Sequence, residues 1–190
     1  MSQTDTLTHI RDDLRAAMNG VAAQTIRQSG MAYRLVYGVE LPRLRDIAAA
    51  YTPDRRLAQQ MWDEDVRELR MLAIMLYPRD EFGTDIADLW LDGIRQEQSE
   101  LAGLLCMDLI AAQPYAAESA FTWIADERPV RQLCGYLTLG RLLMAGAQLS
   151  PHAEAELRDQ AATALADSYL PLRRAAANTL ARLDTDDTTS

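Results

Sequence analysis

Asp65-Val66-Arg67, Pro129-Val130-Arg131 and Pro171-Leu172-Arg173 each stand at the head of a long helical pattern. An apolar residue followed by arginine, placed about one turn into a helix, buries the first and leaves the second on the adjoining face. The first residues of the three runs lie 64 and 42 apart. The larger gap has room for one degenerate repeat, around Ser99-Glu100-Leu101-Ala102. Recurrence at such intervals marks an array of helix pairs, each of which cannot bury its apolar side alone and stacks on the next. The spacing predicts an all-α fold, a right-handed superhelical stack of antiparallel helix pairs.

The flanking sequence supplies the remaining helices. Leu7, Ile10, Leu14 and Met18 recur at three- and four-residue spacing, and Gly30 is placed to stop the helix that follows. Pro42 fits the first turn of a helix that turns Leu44, Ile47, Ala48 and Tyr51 inward. Thr52-Pro53 and Asp63 read as the starts of the next two, the second carrying Val66, Leu69, Leu72 and Leu76 to a stop at Pro78. Thr84, Ser99, Pro114-Tyr115, Pro129, Ser150-Pro151 and Leu170-Pro171 open six more. No run of β-branched alternation predicts a sheet. Residues 1–183 form one expected domain, and the polar stretch 184–190 is expected to be a disordered tail.

Composition narrows the function. With 48% hydrophobic and 25% charged residues the chain belongs with folded proteins, and no apolar run approaches membrane-spanning length. The N-terminus lacks the basic and apolar regions of a signal peptide. Cys106 and Cys134 lie in apolar helical patterns and are expected to be buried free thiols, which fits a cytoplasmic protein. All 19 basic residues are arginine, so Schiff-base chemistry through lysine is excluded. Net charge is −9, unevenly placed. Between Asp80 and Glu127 eleven acids face one base, Arg95, whereas from Gly20 to Gln60 six arginines face three acids. The acidic middle repels phosphates and the N-terminal third attracts them. The same asymmetry suits head-to-tail self-association into a homo-oligomer, or a solvated charged face.

Two stretches resemble the DNA alkylation repair enzyme family, the HEAT-like-repeat glycosylases. Tyr37-Gly38-Val39-Glu40-Leu41-Pro42-Arg43-Leu44-Arg45 is similar to that family's Gly-aliphatic-x-x-Pro-x-x-Arg entry into a helix. Met61-Trp62-Asp63-Glu64-Asp65-Val66-Arg67-Glu68-Leu69 is similar to its Leu-Trp…Arg-Glu segment. The resemblance implies a HEAT-like, armadillo-type α-solenoid that removes cationic alkylated purines from DNA. An aspartate and aromatic faces would stabilise the cationic sugar, and basic residues would hold the phosphates.

Under this resemblance the reacting segment falls at Arg95-Gln96-Glu97-Gln98-Ser99-Glu100, which has acids but no tryptophan, with a serine near the expected acid. Candidate acids are Glu97, Glu100 and Asp108. Candidate nucleic-acid contacts are Arg43 and Arg45 in the basic third, Arg131 as the analogue of a phosphate-holding arginine, and Arg173 and Arg174. His9 and His152 lie far apart without acidic or cysteine neighbours at ligand spacing, so no metal site is expected, nor any cofactor. Two functions follow as expectations. One is a non-catalytic or weakly active scaffold for duplex DNA or a protein. The other is an active glycosylase whose acid comes from an unusual position.

Overall fold

In the computed structural model, residues 3–187 are described. They form eleven α-helices and no strand, in two compact units, Met1–Phe82 and Gly83–Ser190. The all-α expectation stands.

The first unit holds α1 (Gln3–Ala16), α2 (Gly20–Gln28), α3 (Leu41–Ala49), α4 (Arg55–Trp62) and α5 (Arg67–Leu76). Ile10 and Leu14 of α1, Leu44 and Ile47 of α3, Leu57 and Met61 of α4, and the apolar face of α5 make its core. Met18, expected inward, falls beyond the end of α1 and is exposed. Gly30 takes φ +88° and ends the α2 segment, as its position in the sequence predicts. Two helix starts differ from expectation. Asp54, rather than Thr52-Pro53, caps α4 by accepting from Leu57 N at 2.7 Å. Asp63 closes α4 instead of opening α5. The chain from Asp63 to Val66 is taken up by a turn and by a single parallel bridge, in which Leu35 N donates to Asp65 O and Arg67 N to Leu35 O.

The second unit holds α6 (Thr84–Asp92), α7 (Ser99–Leu104), α8 (Ala116–Ile124), α9 (Pro129–Met144), α10 (Pro151–Ala166) and α11 (Leu170–Asp187). The π-helical turn Leu105–Leu109 continues α7. Ser150 caps α10 through Ala153 N. Helix α9 is central: α8 folds back on it through a four-residue turn, and α11 packs on another side. Glycines allow both approaches. A Cβ at Gly135 would lie 2.6 Å from Ala120 O of α8, and one at Gly140 would lie 2.9 Å from Thr179 of α11. Helix α11 runs to Asp187, past the end expected near Leu183, because no glycine or proline intervenes and Arg158 pairs with Asp184 at 2.7 Å. Residues 188–190 of the expected tail lie outside the described residues.

Val66, Val130 and Leu172 are all buried, as the repeated triplets require. Their arginines do not behave alike. Arg173 is exposed, but Arg67 is 5% exposed and the Arg131 side chain 11%. Each of those two is drawn in by carboxylates, which corrects the expectation that the arginine stays on the adjoining face.

Candidate nucleic-acid interface

Arg131 lies on the first turn of α9, where Arg128 is the residue before the helix. The carboxylates facing them come from two other places. Asp88 and Asp92 stand one turn apart on α6, and Asp126 lies in the α8–α9 turn. Arg131 Nη1 donates to Asp88 Oδ1 at 2.6 Å and its Nε to Asp92 Oδ1 at 2.9 Å, with Asp126 Oδ2 at 3.8 Å. Arg128 donates to both oxygens of Asp126, at 2.9 and 2.8 Å, and to Asp92 Oδ1 at 2.8 Å. The Trp123 indole N–H also donates to Asp88 Oδ1, at 2.9 Å. Arg128 beside it holds the Asp126 carboxyl down to about 2. Three carboxylates therefore meet two guanidiniums in one hydrogen-bonded cluster. None of Asp88, Asp92, Asp126, Arg128 or Trp123 stood out in the sequence as a site residue. The only signals for them were two aspartates at i, i+4 on one helix and two arginines at i, i+3 about the head of another.

Helix α11 packs along α9. Thr179 Oγ1 donates to Tyr136 O, 43 residues earlier, and Arg182 Nη1 to Gly140 O, 42 residues earlier. Both pairings advance in the same sense, so α9 and α11 run parallel. Their register, 43 and 42 residues at these two pairings, is close to the 42-residue interval between the second and third triplets. Arg173 and Arg174 thus stand level with Arg131, and both are exposed. Parallel helix N-termini with arginines on the first turn favour anions.

In the first unit, the residues that carry the family resemblance serve architecture. The buried Glu68 carboxylate accepts Tyr37 N at 3.0 Å, Gly38 N at 2.9 Å and Arg67 Nη1 at 3.0 Å. Arg67 Nη1 also donates to Val39 O at 3.1 Å. The Arg-Glu pair of α5 thereby grips the connector that enters α3. Gly38 has φ +77°, and a Cβ there would lie 2.3 Å from Asn19 O. Trp62 packs beneath Arg70, whose guanidinium carbon lies 5.4 Å from the ring centroid. Arg43 and Arg45 are exposed on α3, with Arg43 at 3.7 Å from Asp46.

The candidate acids lie along one continuous segment of the second unit. Glu97 accepts from Arg95 Nε at 2.9 Å, Glu100 is in the first turn of α7, and Asp108 is in the π-helical turn. All three are half-buried. The chain's three tryptophans are buried, Trp62 4% exposed, Trp90 0% and Trp123 1%. Cys106 and Cys134 are buried free thiols, and burial pushes the Cys134 thiol well up. No group of three or more potential metal ligands occurs among the described residues. No described helix is long and apolar enough to cross a membrane.

No curated protein matches the sequence significantly. A solved structure from "a new family of proteins related to the HEAT-like repeat DNA glycosylases with affinity for branched DNA structures" matches with a TM-score of 0.80 at 16% identity, over 93% of this chain and 75% of that one. That likeness shows the fold to be of the HEAT-like helical-repeat kind. The family model described as DNA alkylation repair enzyme matches residues 10–188, and the chain belongs to that family.

Proposed function

We propose that this protein is a DNA-binding scaffold of the alkylation repair family, without glycosylase activity or with only weak activity. The observation that carries the reading is the burial of Trp62, Trp90 and Trp123. Excising a cationic base calls for a carboxylate beside an aromatic face that the sugar can reach. None of the three indoles offers a face to a ligand, and Trp123 meets its aspartate through the N–H edge of the ring. DNA binding is supported by the parallel heads of α9 and α11, where Arg173 and Arg174 are exposed. A solved protein of the same fold is described as having affinity for branched DNA, which makes branched DNA the substrate to try first. One observation favours the active-glycosylase reading. Asp108 sits in a π-helical turn, a distortion that collects at functional sites.

The test is fluorescence anisotropy with a three-way junction and a linear duplex of equal length, across a salt series. Binding to the junction is expected. Arg173→Ala/Arg174→Ala should weaken it and lower the log–log salt slope by about 0.9 for each phosphate no longer neutralised. Arg43→Ala/Arg45→Ala tests the basic N-terminal third in the same way. No binding to either DNA at about 50 mM salt, a condition in which phosphate contacts are strong, would refute the reading.

A further inference from the structure

Arg128 and Arg131 stand at the head of α9, an end of a helix that favours anions, and their donors are directed at Asp88, Asp92 and Asp126. We propose that these three aspartates are phosphate surrogates that set the DNA affinity and specificity of this surface. They fill the arginine site in the free protein and yield it only to DNA that brings phosphates close together, as a branch point does. The inference rests on the DNA-binding reading above.

Three features of the geometry support it. Arg128 meets Asp126 with two parallel N–H···O bonds, the arrangement in which a guanidinium also meets two phosphate oxygens. Asp92 is shared, since one oxygen accepts from both arginines. Asp88 and Asp92 are 42% and 46% exposed, so they hold the arginines from the solvent side rather than from the core. At the head of α9 a ligand meets these carboxylates before Arg131. Arg173 and Arg174, level with them on α11, have no carboxylate partner among the described hydrogen bonds and ion pairs and make the first contact. Plain duplex is repelled by the acid trio and held by the α11 arginines alone. A second phosphate run, delivered at the junction angle, competes for Arg128 and Arg131. The competition is between like anions, so small changes in the acids shift it strongly.

Asp88→Asn/Asp92→Asn removes two surrogate charges and keeps side-chain size. Affinity for linear duplex should rise at least about tenfold, and the salt slope should steepen by up to about 0.9 as Arg131 becomes free to meet phosphate, Arg128 staying on Asp126. The gap between junction and duplex should narrow. Arg131→Gln should cancel most of the gain in the double variant. Asp85→Asn/Glu118→Gln makes the same charge change at exposed positions of this unit and should give a much smaller gain. Asp92→Asn alone leaves Asp88 and Asp126 on Arg131 and guards against loss of fold in the double variant, with circular dichroism melts run alongside.

A gain that depends on Arg131 supports the proposal. An unchanged or reduced affinity in folded variants overturns it while leaving DNA binding intact, as does an equal gain from the Asp85/Glu118 control. Failure of the unaltered protein and of every variant to bind either DNA overturns the DNA-binding reading and this inference with it.

Discussion

Glu68 ties α5 to the connector that enters α3, and Glu68→Gln tests that tie. The carboxylate is fully buried and accepts two backbone N–H groups, Tyr37 at 3.0 Å and Gly38 at 2.9 Å, besides Arg67 at 3.0 Å. Glutamine has the same shape and only one oxygen. One of the two N–H groups must then face an amide NH2, which leaves a buried donor unsatisfied at a cost of about 1–3 kcal/mol. Arg67, itself 5% exposed, loses its adjoining counter-charge, and breaking a buried ion pair from one side costs about 3–5 kcal/mol. Both effects act through one carboxylate and overlap, so the expected total is roughly 3–5 kcal/mol. That is a large share of a stability of about 5–15 kcal/mol. Chemical denaturation followed by far-ultraviolet circular dichroism reads it, with Glu40→Gln as an exposed control. Arg67→Met should cost less, because the carboxylate keeps both backbone donors. If Glu68→Gln unfolds within about 0.5 kcal/mol of the control, the range of a typical surface change, the pair does not hold the connector and the reasoning is wrong.

Other outcomes follow from the same packing. Gly38→Ala should abolish folding of the first unit, since its Cβ would meet backbone at 2.3 Å, whereas Gly146→Ala, also at positive φ but in open space, should cost only about 1–2 kcal/mol. Leu172→Ala should lower stability by roughly 2–5 kcal/mol, and the neighbouring Arg173→Ala by less than about 0.5; equal melting shifts would break the repeat assignment. Asp126 has a folded pKa of about 2, below its ordinary value of 3.8. Its stabilisation is therefore full above about pH 4 and lost as pH falls through about 2. The stability difference between the unaltered protein and Asp126→Asn should shrink over that window, and a constant difference would show the Arg128 pairing to be absent in solution.

Local periodicity carried most of the fold. Val66, Val130 and Leu172 are buried because an apolar residue at a helix head has one side to pack against, and the 42-residue interval reappears as the register of α11 on α9. Periodicity could not say what faces an arginine from far along the chain. Arg67 turns inward because a connector 28 residues away offers it Val39 O, and Arg131 because α6 brings acids 39 and 43 residues away. The resemblance pointed to the right segments, Tyr37–Val39 and Arg67-Glu68, but their role is to grip one another. Caps were misread where two polar residues competed: at α4, Asp54 reaches the Leu57 N–H one turn on. Along α6 only Ala87, Trp90 and Leu91 are buried, and the apolar Leu89 is 59% exposed.

Under the proposed function, this member of the alkylation repair family binds DNA and excises bases from it weakly or not at all. Purified protein incubated in excess with duplex carrying N3- and N7-methylated purines, with released base measured against a protein-free control, tests that claim most directly. Release at the spontaneous rate, from DNA shown by anisotropy to be bound, is the predicted result. Release well above that rate, and abolished by Asp108→Asn, Glu100→Gln or Glu97→Gln, would contradict it and place a catalytic acid on the α7 segment.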